Sequence, residues 1–448
     1  MISTKKSAEI LARNRRVIPG GMVSINRATQ PELVFLRAQG AYMWDADGNR
    51  YIDYHAAFGP YILGHNDADV NEAVMEALHD GSSLFGSGTT VREGELAELI
   101  QDAVPCADRV QLLNTGSEAT YQALRTARAA TGRDHIIVMQ GGYNGWHNDV
   151  SCNLATPLAQ LGPRVPVGEY PYMPISAGVP QAHQALVHPV NFNDLASVEE
   201  TCKRHNIAAL ITEPILQNIG LVKPQPGYLE GLRRLADQYG FVLIFDEVKT
   251  GFRHALGGYS AICGVQPDLA VFGKALANGF PLAAIAGRQD LMDYFVHPDP
   301  GKRVLLAGTY NGHPVPVAAA IATIRRLAAG GGEVFCRLSE LGALAEAQLS
   351  ELFAAEGVAV TIVREGSAFC VYFMDHAPVD WHDLAAHHDF PLDEAMRRSL
   401  IARGVYCFPI ATKQWSISAA HTESDIEYTV RQFAGWLEEA KTPAAPAH

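Results

Sequence analysis

From about residue 107 to residue 290 short apolar runs alternate with helix-patterned stretches, the arrangement expected of parallel strands joined by crossover helices. The runs are Val110-Gln111-Leu112-Leu113, Ile136 to Met139, Ala208 to Thr212, Phe241 to Phe245, Leu269 to Phe272 and Ala283 to Ala286. Each is closed by polar residues or glycine. Upstream, Ala41 to Ala57 reads as short strands about the turn Asp45-Ala46-Asp47-Gly48-Asn49. Downstream, Pro316 to Ala329 and Glu333 to Glu356 carry a helical period, and mixed strands and helices continue to about Ala440. The opening stretch MISTKKSAEILARNRR reads as a surface helix with no signal-like apolar core, and the closing KTPAAPAH as a disordered tail.

The 448 residues are 48% hydrophobic and 19% charged, an ordinary globular balance that excludes disordered and collagen-like classes. A formal charge of −13 gives no overall positive field for nucleic acid or an anionic membrane surface. The longest weakly polar stretch, Val315 to Ile324, stops at Arg325 and Arg326, far short of the roughly 20 residues of a membrane span. Seven scattered cysteines form no CxxC pair, which suits a reducing cytoplasm and no metal site built on cysteine.

The unusual residues follow the apolar runs: NTGSEA after the first, GGYNGWH after the second, EP after the third, DE after the fourth and GK after the fifth. In open parallel sheets ligands gather at the carboxyl ends of strands. Lys274 is the single charge in the nineteen residues Leu269 to Gly287, where an isolated ammonium is costly to bury. A desolvated lysine has a lowered pKa and can form a Schiff base, whereas a lysine at a helix start can instead reach solvent. Asp246 and Glu247 end a buried-strand pattern with side chains on opposite faces, so one should meet a ligand, unless both act as helix caps or ion-pair partners. Asn114 to Ala119 offers open amides and a helix dipole to an anion such as phosphate, or is simply an N-cap with Glu118 behind it. In the glycine-rich loop Tyr143 can stack on a flat ligand, Trp146 is expected in the core, and His147 is either a base or a hydrogen-bonding residue.

Taken in order and spacing, NTGSEA, GGYNGWH, ITEPILQNIG, LIFDEVKTGFRHALGG, DLAVFGKALANG and GTYNGHP resemble the class III (subgroup II) aminotransferases, closest to the glutamate-1-semialdehyde aminomutase branch. The resemblance runs from about Pro19 to Thr422. It implies an α/β chain of the type I pyridoxal-phosphate transferase fold: a large domain with a mainly parallel sheet flanked by helices, plus a small α+β lobe from both termini. The expected division is 1–68 for the N-terminal segment of the small lobe, 69–318 for the cofactor-binding domain and 319–448 for the C-terminal domain.

Carried over residue by residue, the resemblance implies that Lys274 holds pyridoxal 5'-phosphate and that Asp246 pairs with its ring nitrogen. Val248 would pack under the ring and Tyr143 above it. Glu213 and Asn218 would lie at the ring's oxygen edge. Gly116 and Ser117 would bind the phosphate together with Thr309 from the neighbouring subunit of a homodimer. Ser24 and Arg27 align with residues that hold a substrate carboxylate, while His65 reads as structural. The implied activity is a ping-pong aminotransferase acting on a small-molecule amino donor and a carbonyl acceptor, without nucleic acid or membrane. Where the aminomutases carry Ala-Phe-Glu-Ala-Gly-Phe, this chain reads Pro409 to Trp415, with Lys413 in place of the glutamate. That places an aminomutase second and an amino-acid epimerase or racemase third. A catalytically idle member of the fold is disfavoured by the retained Lys274 and Asp246, and a nucleotide-dependent oxidoreductase by the lack of a GxGxxG after a first strand.

Overall fold

A computed structural model describes residues 2–441; the tail from Thr442 onward, expected to be disordered, lies outside the described residues. The strands in chain order are β1 (Phe35–Gln39), β2 (Tyr42–Asp45), β3 (Arg50–Asp53), β4 (Arg109–Leu113), β5 (His135–Met139), β6 (Val187–Val190), β7 (Ile207–Thr212), β8 (Val242–Asp246), β9 (Leu269–Phe272), β10 (Ala283–Gly287), β11 (Thr361–Glu365), β12 (Ala368–Tyr372), β13 (Val405–Tyr406) and β14 (Trp415–Ser416). Contacts divide the chain into two compact units. One is built from the chain up to Asp67, from Cys336–Ala377 and from His388 onward, and the other from Ala68–Phe335 and Pro378–His387. Helix Pro314–Ala328 is therefore kept in the second unit, not cut off at residue 318 as the sequence reading placed the boundary.

The second unit is built on a seven-stranded sheet in the order β4-β10-β9-β8-β7-β5-β6. Strands β7, β8, β9 and β10 are buried along their whole length, which explains why they read as unbroken apolar runs: helices cover both faces of such a sheet. Helix Gly116–Thr131 supplies one cover, burying Ala119, Ala123, Leu124 and Ala127 on a single stripe. Two departures from the sequence reading have simple causes. The sixth run, β10, lies antiparallel to both β4 and β9. Only residues 273–282 separate it from β9, too few for a crossover helix, so the chain returns directly. Strand β6 was not anticipated because His188 and Pro189 interrupt its pattern; it is an edge strand, where a missing backbone N–H is tolerated.

In the first unit, strands from both ends of the chain share one sheet, β1-β2-β3-β13, with β13 parallel to β3. A second sheet, β11-β12-β14, carries the C-terminal part. The expected N-terminal surface helix forms at Lys5–Asn14 and buries only Ser7 and Leu11.

Candidate active site

Five parallel strands of the second unit end at the same edge, and each delivers one of the motifs. After β7 comes Glu213, at the end of β8 stands Asp246, and after β9 Gly273 leads into the short turn Lys274–Ala277. The amide of Lys274 sits at φ 46°, left-handed backbone that a side-chain-bearing residue adopts only under constraint. The turn thus spends conformational strain to direct one ammonium.

That ammonium faces two carboxylates. Lys274 retains partial exposure, yet loss of hydration at its amine lowers its pKa; Asp246 and Glu213 oppose the shift and Arg253 adds to it. Asp246 is buried, with Oδ2 accepting from Asn144 Nδ2 at 2.8 Å and Oδ1 from the Val248 amide at 3.0 Å. Burial first, and then the charge of Glu213, push its pKa up to about 7 despite those bonds and the nearby Lys274. Glu213 is buried as well, and its oxygens accept from the Tyr143 amide at 2.9 Å, Asn218 Nδ2 at 2.9 Å and the Gln217 amide at 3.0 Å. The neighbour Glu247 takes the opposite fate: it caps helix Gly258–Cys263, accepting from the amides of Tyr259 and Ser260 at 2.9 and 2.8 Å. Of the Asp-Glu pair, one carboxylate lies beside Glu213 and Lys274 and the other is a structural cap.

The anion end of the site is the start of helix Gly116–Thr131. Thr115 and Glu118 form a reciprocal capping box, with Thr115 Oγ1 accepting from the Glu118 amide and Glu118 Oε2 from the amides of Asn114 and Thr115. The cap leaves the first two helical amides, Gly116 and Ser117, as the donors that the dipole presents to an anion. Gly116 permits a close approach: a Cβ there would stand 3.0 Å from a Val248 methyl, and Val248 also lies near Gly273. Gly145, at φ +127°, lets the aromatic loop pass over Ser117, whose Oγ accepts from the Trp146 amide at 3.3 Å.

Gly116, Ser117, Tyr143, Glu213, Asn218, Asp246, Val248 and Lys274 are thus joined by contacts within one unit. Thr309 is exposed and lines a separate cleft with Phe85, Ser87 and Gly312; two residues on, Asn311 Oδ1 accepts from Asn114 Nδ2 at 2.9 Å and ties this segment to the helix start. Ser24 and Arg27 belong to the first unit, where Arg27 is exposed and lines a cavity of about 490 Å³ with Asn26, His55, Phe58 and Phe408. His65, also there, bonds through Nε2 to Asp53 Oδ2 at 2.7 Å in the interior.

Two expectations about ring residues are resolved here. Trp146 is 67% exposed and not in the core. His147 is buried, its pKa lowered to about 4 by burial, and its Nε2 lies 3.1 Å from Thr120 Oγ1, so it is a hydrogen-bonding residue. Trp415 is fully buried and stacks on Phe369, while Lys413 contributes its carbonyl to Arg397. Sequence reasoning passed over Asn144, which holds Asp246, and the buried Arg253, which acts on Lys274; both lie inside the motifs, but nothing in their spacing distinguishes them.

A family model described as Aminotransferase class-III matches residues 24–424. A glutamate-1-semialdehyde 2,1-aminomutase of Desulfatibacillum aliphaticivorans is 37% identical over 434 residues, 95% of this chain and 98% of that protein. An omega-transaminase from Sphaerobacter thermophilus superposes with a TM-score of 0.88 at 31% identity, over 97% of this chain and 98% of its own. A glutamate-1-semialdehyde-aminomutase from Pseudomonas aeruginosa PAO1 in complex with PMP gives 0.84 at 26%, over 97% and 94%.

The site's own chemistry fits pyridoxal 5'-phosphate. Two buried carboxylates, Asp246 and Glu213, share the nearby Lys274, and burial still holds Asp246 near pH 7, so a protonated ring nitrogen would supply a further cation. Two open amides at a helix start suit a phosphate, and a strained lysine with a depressed pKa suits covalent attachment.

Proposed function

Since the chain belongs to the class III aminotransferase family and takes pyridoxal 5'-phosphate as its cofactor, we propose that it transfers an amino group from a carboxylate-bearing amine or amino acid to a carbonyl acceptor in ping-pong fashion. The carrying observation is the cluster at the strand ends of Lys274 with the two buried carboxylates Asp246 and Glu213. When bound, the cofactor supplies an electron sink for charge developing on the substrate carbon. Lys274 Nζ anchors it and serves as the base and acid that moves the substrate proton, a task that needs the neutral amine favoured by burial. Asp246 keeps the ring nitrogen protonated, and Asn144 and the Val248 amide hold that carboxylate in place. Val248 and Tyr143 fix the ring's faces, Glu213 with Asn218 its oxygen edge, and Gly116 and Ser117 the phosphate.

Arg27, with Ser24, reads the donor's carboxylate, a role suited to a guanidinium that forks two hydrogen bonds. Arg27→Ala should weaken carboxylate-bearing donors by about 1.5–3 kcal/mol and spare simple amines, measured as kcal/mol from kcat/KM ratios. Equal losses for both donor types would remove it from the substrate site. A homodimer in which Thr309 completes the partner's phosphate site is supported by the exposed apolar residues Phe85, Leu305 and Tyr310 near it in the chain or its cleft. A reducing, cytoplasmic setting is supported by seven unpaired thiols. No helix among the described residues is long and apolar enough to cross a membrane.

The second reading, a glutamate-1-semialdehyde 2,1-aminomutase, is favoured by the names of relatives at 37% identity. Lys413, which the family resemblance aligns with a glutamate of the aminomutase branch, is why intermolecular transfer comes first. The two part in one experiment: a transaminase given a donor alone should deliver one amino group per site and stop until a carbonyl acceptor is added. Sustained conversion of glutamate-1-semialdehyde to 5-aminolevulinate without an acceptor would reverse the order.

A further inference from the structure

At the amino ends of the same parallel strands, away from the edge that carries Lys274, three histidines from separate segments converge. His135 opens β5, His188 is the second residue of β6, and His205 closes helix Leu195–Arg204 just ahead of β7. One ring nitrogen of each lies within 4.8 Å of the other two. His135 Nδ1 and His188 Nε2 are 2.9 Å apart, and the rings of His188 and His205 stack with centroids 3.8 Å apart. Glu169 bridges the group, bonding His188 at Nδ1 through Oε2 and His205 at Nε2 through Oε1, the latter at 3.0 Å. His188 is buried, and His135 and His205 are half-exposed, so an ion can enter without unfolding the sheet.

The tautomers follow from these bonds. A carboxylate only accepts, so Glu169 fixes the proton of His188 on Nδ1 and leaves the Nε2 lone pair directed at His135. This is the arrangement in which a carboxylate orients a metal-ligating imidazole through its other nitrogen. His135 presently fills the space before that lone pair with an N–H; moving its proton from Nδ1 to Nε2 frees a second lone pair on the same point. Tetrahedral coordination at about 2.0–2.1 Å per bond needs nitrogens roughly 3.3 Å apart, so swinging the half-exposed His205 ring off its stack completes the set.

We propose that His135, His188 and His205 form a binding site for a divalent first-row transition ion, with Zn²⁺ the fitting probe and Glu169 the residue that orients His188. Three neutral imidazoles select zinc, copper, nickel or cobalt over magnesium and calcium, which prefer oxygen ligands. The ion would pin β5, β6 and the junction before β7 to one another at the sheet's edge. Because the cluster is at the far end of the strands from Lys274, it should act on stability and leave turnover alone.

The experiment takes the untagged, cofactor-loaded full-length protein, strips it with chelator, dialyses it against Zn²⁺ and measures retained zinc per chain and the affinity by competition with a chromophoric chelator. Wild type should retain one ion and gain in thermal midpoint. His135→Gln and His205→Gln should each weaken binding at least 10–100-fold, and Glu169→Gln about tenfold, with the cofactor's visible band and turnover unchanged. His205 stands outside the strands, so its variant decides the matter if His135→Gln folds poorly. No stoichiometric zinc in wild type, or equal retention in the variants, would reduce the cluster to a hydrogen-bonded stack and overturn the proposal.

Discussion

Each of the two units buries an ionic cluster, and the two are balanced differently. In the first unit Asp393 accepts from Arg397 Nε at 2.6 Å, from the Thr412 amide at 2.7 Å and lies 3.1 Å from His388 Nε2. Arg397 donates its remaining groups to the carbonyls of Phe408 and Lys413 at 3.0 and 2.9 Å. Burial pushes Asp393 toward its neutral form, but Arg397 and His388 overcome it and hold the carboxyl below its ordinary value. Arg397 is likewise raised: burial opposes its charge and Asp393 restores it. In the second unit Asp246 has neither a guanidinium nor a full set of donors, and burial with Glu213 leaves it near pH 7. The first cluster is complete within the protein. The second sets two carboxylates against Lys274, whose own charge burial disfavours, and so leaves room for a further cation.

The largest effect expected from breaking this comparison is at Lys274. Lys274→Ala should fold, since Asp246 and Glu213 are held by other donors, and should lose at least about 10³-fold in kcat/KM with its covalent cofactor linkage. Turnover near that of wild type would sink the assignment of the whole site.

The completed cluster should respond in stability. Arg397→Leu strands a buried carboxylate and should cost about 3–5 kcal/mol in denaturant unfolding. Adding Asp393→Leu should recover much of that loss, because the pair is then replaced by apolar packing. A double variant no better than the single one would mean that the Thr412 and Phe408 contacts, not charge balance, secure this region.

Asp246 should behave in the opposite sense. Asp246→Asn should lower turnover about 10²-fold while leaving the cofactor-free protein as stable as wild type or more so at neutral pH. The sign follows from linkage: with its pKa raised from 3.8 to about 7, the folded state keeps a proton that the unfolded chain has released. Cofactor-free wild type should therefore lose stability as pH rises from about 4 to 7, by about 4 kcal/mol at most, and the asparagine variant should lack that component. Parallel stability curves for the two proteins would show that the carboxyl is already compensated.

Much of the site was legible because chain order and sheet topology coincide. Five parallel strands end on one edge, so the residues of NTGS, GGYNG, EP, DE and GK, which follow those strands, had to gather there whatever the details of packing. The same logic failed where the chain was too short to cross over, at β10, and where His188 and Pro189 masked an edge strand. Aromatics were the least legible: Trp146, expected in the core, went outward, since it follows the course of its loop, which hydrophobicity alone does not specify.

What the sequence by itself determined, then, is which groups share the strand ends: a lysine lone in an apolar stretch, an acid after a buried strand and a helix start free for an anion, all consequences of local pattern and alternation. The residue pattern left Asp246 and Glu247 open and the family resemblance chose Asp246; the tertiary structure supplies the physical reason, because the amides of Tyr259 and Ser260 satisfy Glu247, whereas Asp246 is left beside Glu213. Only the tertiary structure brought three histidines, from positions 135, 188 and 205, within reach of one ion. Protonation and ligation depend on distances and lost hydration across segments far apart in the chain, and those quantities exist only once the chain has folded.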